Sequence, residues 1–448
     1  MKIVLYGANL TTAAIAAEFF EDYDVIVMDS YQKNLESFAN LDISTVCADA
    51  LNIKVLKETD IESSDIFIAV TDDDEKNMLA CLIAKQVSGA QTICFVQKKD
   101  SMESLNYLKD EYKESYAQYI DHVIWPQKLL VQEIFKILTV PDALNVENFA
   151  KGKARLFEYR IKEEGTLVDK KLKDCYFNSE VLVAGIVRDD ELFIPNGETE
   201  FRQNDKAILI GTPIGLDIAA SELFEAKGTV KKIAIIGGGS VGYELADAVK
   251  KTSMQMKIIE TNYKRCEFLS ENLKNALILN GSGTSLELLE DEEIGKSDVV
   301  ISLTNNDEKN LLCSLLAKQS GAKKIITRVG ENATANLFER VGVDVAISQK
   351  AACVNEIKNR IIDYRAGIIA TVEHGQGEIL ELQLRKDFIA KPLYEIKKPA
   401  NCVVAIVRRG SKVIIPKGKT EIRPQDVLLI FTKTDDVAIV KEYFNNAT

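Results

Sequence analysis

At 448 residues the chain is too long for a single hydrophobic core, and its length predicts two to four domains. Apolar residues make up 46% of it and charged residues 28%, which is ordinary for a globular protein. The net charge of −12 argues against a nucleic-acid partner and against attraction to an anionic membrane surface, because both require clustered Lys and Arg.

The N-terminal part of the chain predicts alternating strands and helices. The segment "KIVLYGANLTTAAIAAEFF" is an apolar run, then a turn that begins at Gly7, then a helical pattern. This is the layout with which a dinucleotide-binding unit starts. Two positions that would be glycine in such a unit are instead Asn9 and Thr12.

The next predicted elements have a different character. A helical stretch, "QKLLVQEIFKILTV", is followed by short strands with turn signals at Gly165, Asp189-Asp190 and Asn196-Gly197. Asn-Gly and Asp-Asp pairs favour the tight reversals of antiparallel hairpins. We therefore expect a small α+β unit, mostly strand, of about 75 residues, which is too small for a deep catalytic cleft.

The strand–helix alternation then starts again. The predicted strands "KIAIIG", "MKIIE", "ALILNG", "DVVISLT" and "KKIITRV" are separated by helical patterns. Short apolar, β-branched runs between helices indicate strands that are buried on both faces. This pattern predicts a Rossmann-like, doubly wound parallel sheet.

Two pairs of matching segments indicate a tandem duplication. Residues 70–90 return as residues 303–322, and "IPNGETEFRQND" (194–205) returns as "IPKGKTEIRPQD" (415–426). Because the pairs occur in the same order, each copy of about 225 residues contains one parallel-sheet lobe and one small lobe. The predicted boundaries are 1–125 for the first Rossmann-like lobe, 126–149 for an inter-lobe helical segment, 150–224 for the first small lobe, 225–230 for a linker, 231–348 for the second Rossmann-like lobe, 349–368 for a second inter-lobe helical segment, and 369–448 for the second small lobe.

The second copy carries a complete phosphate-binding motif. Gly237, Gly239 and Gly242 form G-x-G-x-x-G between a predicted strand and a predicted helix. The first glycine permits a tight turn, the second lets the backbone approach a pyrophosphate, and the third lets the helix pack closely on the strand. Unpaired N–H groups at the helix N-terminus attract the phosphates.

Glu260 ends the next predicted strand, 18 residues after Gly242. An acidic side chain in this place binds the ribose hydroxyls of a nucleotide. It disfavours a 2′-phosphate and therefore NADP, but it does not distinguish NAD(H) from ADP or ATP. Arg265 lies about one helical turn further on and faces either the ligand or the solvent.

Further candidates lie at the predicted carboxyl edge of the same sheet, where ligands bind in such folds. "NGSGT" (280–284) follows the third strand and either approaches the adenine or is a plain turn. "TNNDEKN" follows the fourth strand, and its Asp307 and Glu308 are explained by helix capping and the helix dipole. The predicted nucleotide-binding residues are Gly237, Gly239, Ser240, Val241, Gly242, Glu260, Arg265, Gly281, Ser282, Gly283, Thr304 and Asn305.

The corresponding positions of the first copy predict a degenerate site. The side chain of Asn9 intrudes where phosphate oxygens would lie, and the third glycine is also replaced. Asp29 and Asp49 keep acids at the second and third strand ends, whereas Phe95 stands where the second copy has Arg328. We expect a structural copy that binds no dinucleotide; a cation or a weaker ligand is the alternative.

The rest of the composition excludes several kinds of site. No apolar stretch approaches the ~20 residues of a spanning helix. The eight cysteines show no CxxC spacing, which indicates reduced core thiols in a cytosolic protein, and we predict no metal site. With only two histidines, His122 and His374, neither a histidine-rich metal site nor a Ser-His-Asp relay is expected.

These residues resemble the TrkA family, the cytosolic nucleotide-binding regulatory subunits of bacterial Trk/Ktr potassium uptake systems. The resemblance covers essentially the whole chain and rests on "GGGSVG", "IIE", "NGSGT" and "TNNDEKN" and on the paired "IP-x-G-x-T-E-x-R-x-x-D" stretches. Its building block is similar to the RCK domain, a nucleotide-binding N-lobe with a TrkA-C lobe. The first copy departs from that pattern at Asn9, Thr12 and Phe95.

The resemblance implies a regulatory protein and not an enzyme. Family members bind NAD(H), ADP or ATP and form rings on a potassium-translocating membrane subunit, whose pore they bias. It implies nucleotide contacts at Gly237, Gly239, Gly242, Glu260 and Arg265. We therefore expect a cytoplasmic, peripheral subunit on the inner face of the membrane, assembled as a homotetramer of two-RCK chains; the activating nucleotide and the use of a divalent cation stay open.

Two other classes of function were weighed against this one. An NAD-dependent oxidoreductase needs a proton-transfer group such as His, Tyr or Lys beside the nicotinamide. The second Rossmann-like lobe has no His and no S…YxxxK arrangement, and the lobe after it is too small for a substrate cleft. A purely structural scaffold would not need a glycine-rich cradle with an acidic partner.

Overall fold

The structure, a computed structural model, describes residues 1–58, 63–111, 120–139, 143–163, 165–223, 230–362, 367–399, 401–410 and 412–446. The chain divides into two compact units, residues 1–130 with 348–356, and residues 131–347 with 357–448. Along the sequence, two parallel-sheet lobes alternate with two antiparallel lobes, which confirms the predicted tandem architecture. The predicted linker, 225–230, lies outside the described residues except for residue 230.

The first parallel-sheet lobe, N-lobe 1, alternates strands and helices. Its strands are β1 (Lys2–Tyr6), β2 (Asp24–Asp29), β3 (Ser44–Cys47), β4 (Ile66–Ala69), β5 (Gln91–Phe95) and β6 (His122–Ile124). Its helices are α1 (Leu10–Phe19), α2 (Gln32–Leu35), α3 (Ile53–Glu58), α4 (Asp74–Ser88) and α5 (Lys99–Glu111). The strand order β3-β2-β1-β4-β5-β6 places the start of the chain at the centre of the sheet. Ligands in such sheets bind where the order reverses, which here is beside β1.

The first antiparallel lobe, C-lobe 1, follows the helix α6 (Pro126–Thr139). Its strands are β7 (Asn145–Phe149), β8 (Ala154–Arg160), β9 (Val181–Arg188), β10 (Glu191–Phe193) and β11 (Lys206–Gly211), and its helix is α7 (Pro213–Leu223). The sheet order is β10-β9-β11-β8-β7. Asp189 and Asp190 have φ angles of 52° and 64°, so the predicted Asp-Asp reversal joins β9 to β10.

N-lobe 2 repeats the architecture of N-lobe 1. Its strands are β12 (Lys232–Ile236), β13 (Gln255–Glu260), β14 (Ala276–Asn280), β15 (Val299–Ser302), β16 (Lys324–Val329) and β17 (Val345–Ser348). Its helices are α8 (Ser240–Val249), α9 (Tyr263–Asn272), α10 (Leu286–Asp291), α11 (Asp307–Gln319) and α12 (Asn332–Arg340). The order β14-β13-β12-β15-β16-β17 again has the first strand at the centre. The five strands read from the sequence are therefore confirmed.

C-lobe 2 follows the helix α13 (Gln349–Ile362) and is also antiparallel. Its strands are β18 (Ile368–Val372), β19 (Gly377–Gln383), β20 (Lys391–Pro392), β21 (Cys402–Arg409), β22 (Lys412–Ile414), β23 (Glu421–Ile422) and β24 (Val427–Lys433), and its helix is α14 (Val437–Asn446). Five strands form the main sheet in the order β18-β19-β24-β21-β22, and β20 pairs with β23.

A buried ion pair explains the second repeated segment. In C-lobe 1 both carboxylate oxygens of Asp205 accept hydrogen bonds from Arg188, at 2.9 and 2.7 Å. In C-lobe 2 Asp426 accepts two from Arg409, at 2.8 and 2.7 Å. Planar, two-point pairing of this kind is among the strongest side-chain contacts. The repeated Asp is therefore a structural residue of each C-lobe.

The sheets of the two C-lobes share one apolar core. Leu156 and Ile208 of C-lobe 1 lie in a single buried cluster with Ile379 and Phe431 of C-lobe 2. The ring of Phe431 passes so close to Gly185 of C-lobe 1 that a Cβ there would lie 2.9 Å from it. Burial of these faces removes apolar area from water in both copies at once, so the C-lobes stabilise each other.

Replacement of Phe431 by alanine tests this shared core. Phe431→Ala leaves a cavity between the two sheets, and we expect it to lower the free energy of unfolding by about 3–5 kcal/mol. Differential scanning calorimetry measures the loss. Tyr394→Ala, at a side chain that is 66% exposed, is the matched control and should cost under about 0.5 kcal/mol. Equal losses in both variants would contradict a shared core.

Candidate functional site

The glycine motif of N-lobe 2 forms an open helix N-terminus. Gly237 has φ +106°, a conformation that side chains disfavour, and a Cβ on Gly242 would lie 2.0 Å from the carbonyl oxygen of Gly237. Gly239 is the N-cap of α8, and no side chain caps the helix there. A Cβ on Gly239 would meet no atom within 4 Å. The first-turn N–H groups of α8 therefore face open space and attract an anion.

The two residues that follow Gly239 contribute main chain to this opening. Ser240 is exposed, whereas the side chain of Val241 is buried in the core with 4% exposure. The side chain of Val241 therefore fixes the helix on the sheet, and only its backbone is available to a ligand.

Glu260 ties the end of β13 to the glycine loop. Its Oε2 accepts a hydrogen bond from Gly238 N at 2.9 Å, and its Oε1 accepts one from Asn262 N at 2.8 Å. Each carboxylate oxygen has two lone pairs, so the group can still accept bonds from ribose hydroxyls. The carboxylate of Glu260 therefore stabilises the loop and retains acceptor capacity.

Arg265 is turned toward the glycine loop, which the sequence left open. Its Nε donates to Gly238 O at 2.7 Å and its Nη2 donates to Gly239 O at 3.1 Å. The guanidinium lies 4.5 Å from the centre of the Phe268 ring, a favourable cation–π distance. These contacts hold the loop and add a positive charge beside the helix N-terminus.

The turn after β14 is shaped by packing. A Cβ on Gly283 would lie 2.3 Å from Ile236 of β12, and a Cβ on Gly281 would lie 2.7 Å from Leu288. Ser282 pairs with Thr284 through their hydroxyls at 2.7 Å. Close packing therefore accounts for both glycines, and the exposed edge of this turn lies beside Glu260, whose carbonyl accepts from Gly281 N.

A buried asparagine holds the ends of β15 and β16 together. Asn310 Oδ1 accepts from Thr304 N at 2.8 Å, and its Nδ2 donates to the carbonyl oxygens of Thr304 and Arg328 at 3.0 Å each. In N-lobe 1, Asn77 bonds Thr71 in the same way. The repeated D-E-K-N segment is thus a structural bracket, a role that its sequence alone did not reveal.

The cap of α11 is Asn306 and not the acid that the sequence suggested. Asn306 accepts from Lys309 N at 2.7 Å. The Asp307 carboxylate instead accepts a hydrogen bond at 2.9 Å from the backbone N–H of Gly330, which directly follows β16. The expected capping by Asp307 is therefore wrong, because its carboxylate is used across strands, while Asp307 and Glu308 do lie in the first helical turn.

Arg328 joins the predicted residues at the edge of the sheet. Its Nη1 donates to Asn305 Oδ1 at 2.9 Å. Asn305 follows β15, which lies between β16 and β12, so this bond holds the guanidinium at the end of the strand next to β12. Burial lowers the pKa of Arg328, opposed by the charge of Asp307. The sequence feature that could have identified Arg328 as a site residue is the presence of Phe95 at the same position of the first copy.

In N-lobe 1 the same helix N-terminus is occupied by the protein itself. Asn9 caps α1: its Oδ1 accepts from Thr11 N at 2.9 Å and from Thr12 N at 3.1 Å. The Thr12 hydroxyl bonds Gly7 O. Asp29 still accepts from the loop, at Ala8 N, as Glu260 does in the second copy. The scaffold is thus retained while the phosphate-binding N–H groups are satisfied internally.

Other kinds of site find little support in the described ranges. No group of three or more His, Cys, Asp or Glu is placed there to hold a metal ion. All eight cysteines are free, six of them buried. No helix that the structure describes has the length and apolar character needed to cross a bilayer.

Comparison with known proteins assigns both kinds of lobe to known domain families. Residues 3–126 and 233–349 match the TrkA-N domain, and residues 156–221 and 381–445 match the TrkA-C domain. "Trk system potassium uptake protein TrkA homolog 2" of Methanosarcina mazei is 36% identical, over 99% of this chain and 100% of that protein. The TrkA homolog of Archaeoglobus fulgidus is 32% identical, over 99% and 100%. A solved structure, "GsuK channel bound to NAD", has the same fold with a TM-score of 0.63 at 16% identity, over 99% of this chain and 78% of that one.

Removal of the Asn310 bracket should destabilise N-lobe 2. Asn310→Ala leaves the backbone groups of Thr304 and Arg328 without their partner, at a cost of about 1–3 kcal/mol in the free energy of unfolding. Calorimetry with Asn305→Ala as the exposed control measures the difference. Asn77→Ala should have a similar effect in N-lobe 1. An Asn310→Ala protein as stable as the control would contradict the bracket role.

Proposed function

This chain belongs to the TrkA family of potassium uptake proteins, and from that membership we propose that it is the nucleotide-sensing regulatory subunit of a potassium uptake system. Its ligand would be NAD(H), ADP or ATP, bound by N-lobe 2. Its partner would be a potassium-translocating membrane subunit. The relatives carry the name of a potassium uptake system, which supports the transport role.

The observation that carries this proposal is the difference between the two helix N-termini. Helix α8 has a bare main chain at its N-cap, Gly239, whereas α1 is capped by the side chain of Asn9. An uncapped N-terminus next to a strand-end acid is the arrangement that nucleotide phosphates and ribose require. We therefore assign one nucleotide site to each chain, in N-lobe 2.

The candidate residues of N-lobe 2 have separable roles in this proposal. Main-chain N–H groups of Gly239, Ser240 and Val241 would bind the phosphates, with Gly237 and Gly242 allowing the close turn. Glu260 would accept the ribose hydroxyls. Charge from the guanidinium groups would favour the phosphates, and the adenine would lie along the outer edge of the sheet, beside the remaining predicted residues. The guanidinium groups are those of Arg265 and Arg328, and the predicted residues beside the adenine are Gly281, Ser282, Gly283, Thr304 and Asn305.

The role in transport would be conformational and not catalytic. A nucleotide shifts an equilibrium only through different affinities for two states, and typical couplings are about 1–3 kcal/mol. We propose a ring of identical chains, a homotetramer, on the cytoplasmic face of the membrane, held there by its membrane partner. The shared core joins the two C-lobes of one chain, and a change in N-lobe 2 would act through this pair.

A carboxylate at the second glycine should abolish nucleotide binding. Gly239→Asp places a negative charge at the α8 N-terminus and caps it, so phosphates are repelled and their N–H donors are occupied. We expect no increase in melting temperature with ADP, ATP, NAD⁺ or NADH. Thermal shift assays with the purified full chain measure this, and an undiminished shift would refute the assignment.

The first copy provides the matched control. Asn9→Asp retains a side-chain oxygen at the α1 N-cap and should leave the nucleotide-induced shift nearly intact, because that site binds no nucleotide. Loss of most of the shift would mean that both copies bind. Native mass spectrometry of the unaltered protein should report one nucleotide per chain, together with the number of chains in the ring.

Arg328 should contribute to the affinity for phosphates. Arg328→Phe, which installs the residue of the first copy, removes a charged hydrogen-bond donor, typically worth 1.5–3 kcal/mol, and should weaken ADP binding about ten- to hundred-fold. Isothermal titration calorimetry measures the dissociation constant. Adenosine, which lacks phosphate, is the matched ligand and should bind both proteins equally. Equal weakening for the two ligands would show that the substitution acts through the fold.

A further inference from the structure

A buried cluster of charged residues joins three lobes of the second unit. The Nζ of Lys206, on β11 of C-lobe 1, lies 3.0 Å from an oxygen of Glu339, at the end of α12 in N-lobe 2. It lies 3.2 Å from Glu373, which follows β18 of C-lobe 2, and 3.8 Å from Glu158 on β8. One ammonium group therefore faces three carboxyl groups that come from separate parts of the chain.

The cluster is short of positive charge. Glu158 and Glu373 both face Lys206, and if both were ionised this one ammonium group could neutralise only one of them. Glu158 is 3% exposed and Glu373 is 7% exposed, so water does not offset these charges. Both carboxyl groups lie within 4 Å of the same ammonium group, so two ionised carboxylates there would repel each other at close range.

Two described cations on neighbouring elements of N-lobe 2 bond to other groups. Arg340, next to Glu339 on α12, pairs with Asp190 of C-lobe 1 at 2.7 Å. Lys324 of β16 donates to the carbonyl oxygen of Ala143, just before β7. Arg160 lies two residues beyond Glu158 on β8 and is partly exposed, so water screens its charge.

A second carboxyl–lysine group lies on the adjacent strand. Glu147 of β7 is 3.2 Å from Lys136, which also pairs with Glu133 at 2.8 Å. Burial and the charge of Glu133 raise the pKa of Glu147 to about 7, against the pull of Lys136. Lys136 is paired with Glu133 and Glu147 and therefore does not neutralise Glu158.

We propose that the Lys206 cluster binds one proton, held by the Glu158 carboxyl beside the charge of Glu373, and that loss of this proton loosens the attachment of α12 to the two C-lobes. The cluster is thus a proton-dependent clasp between N-lobe 2 and the C-lobe pair. It stands independently of nucleotide binding. Its position nevertheless matters for that site, because α12 follows β16, the strand that carries Arg328.

The direction of the pH dependence follows from the pKa of Glu158. Burial, and then the neighbouring Glu373, raise the pKa of Glu158 well above its ordinary value, while Lys206 opposes the shift. The closed clasp therefore retains a proton that the opened form, with its carboxyl in water, gives up. Stability of the clasp is greatest at acid pH and falls as pH rises from the ordinary glutamate pKa to the raised one. The carboxylates raise the pKa of Lys206 despite its burial, so Lys206 stays charged throughout.

Hydrogen exchange of α12 tests the clasp directly. We would measure deuterium uptake of peptides covering residues 332–340 by mass spectrometry at pH 6, 7, 8 and 9, corrected for the intrinsic exchange rate. In the unaltered protein, protection should fall by about ten-fold for each pH unit over which the closed form keeps its extra proton. In Glu158→Gln, which is neutral at every pH, protection should stay constant.

Two further variants complete the design. Glu373→Gln removes the other carboxyl of the pair and should also abolish the pH dependence, so the test survives if one variant fails to fold. Glu381→Gln, which breaks a partly exposed ion pair with Arg408 in C-lobe 2, should leave the dependence unchanged. Constant protection of α12 in the unaltered protein, or a dependence that persists in both Glu158→Gln and Glu373→Gln, would overturn the proposal.

Discussion

The N–H groups in the first turn of a helix have no partner inside the helix, and this constraint decides what each half of the protein can do. In N-lobe 1 the side chain of Asn9 satisfies two of these groups at the start of α1. In N-lobe 2 the N-cap is Gly239, which has no side chain to offer. The donors there are left for water or an anion. Gly239 and Asn9 therefore make the two helix N-termini different, and the proposed assignment of the nucleotide to N-lobe 2 rests on this difference.

Several of the hydrogen bonds around the glycine loop occur in both copies. Asp29 and Glu260 accept the same loop N–H, and Asn77 and Asn310 bracket the same pair of strand ends. These contacts stabilise the loop whether or not a nucleotide binds. An acid at the end of the second strand is consequently weak evidence of binding by itself, whereas an open helix N-terminus with nearby guanidinium groups is stronger.

Two long-range contacts join the lobes of the second unit. The C-lobe sheets share a core around Phe431, and the Lys206 cluster attaches α12 to that core. The apolar contact is insensitive to pH, whereas the charged one depends on a proton because two buried carboxyl groups, Glu158 and Glu373, face one lysine. The second unit can therefore change shape at the Lys206 cluster while the core between the C-lobes stays intact. This is the physical property that a regulatory subunit requires.

The sequence by itself determined the strand–helix alternation, the duplication, the parallel sheets and the glycine motif, because each depends on residues that are neighbours along the chain. It also located the defect at Asn9. Tertiary structure alone decided that Arg265 turns toward the glycine loop, that Asp307 spans two strands and that packing demands Gly283. It alone brought Glu158, Lys206, Glu339 and Glu373 together. No local pattern encodes such contacts, since they arise only when elements that are distant in sequence are packed into one core.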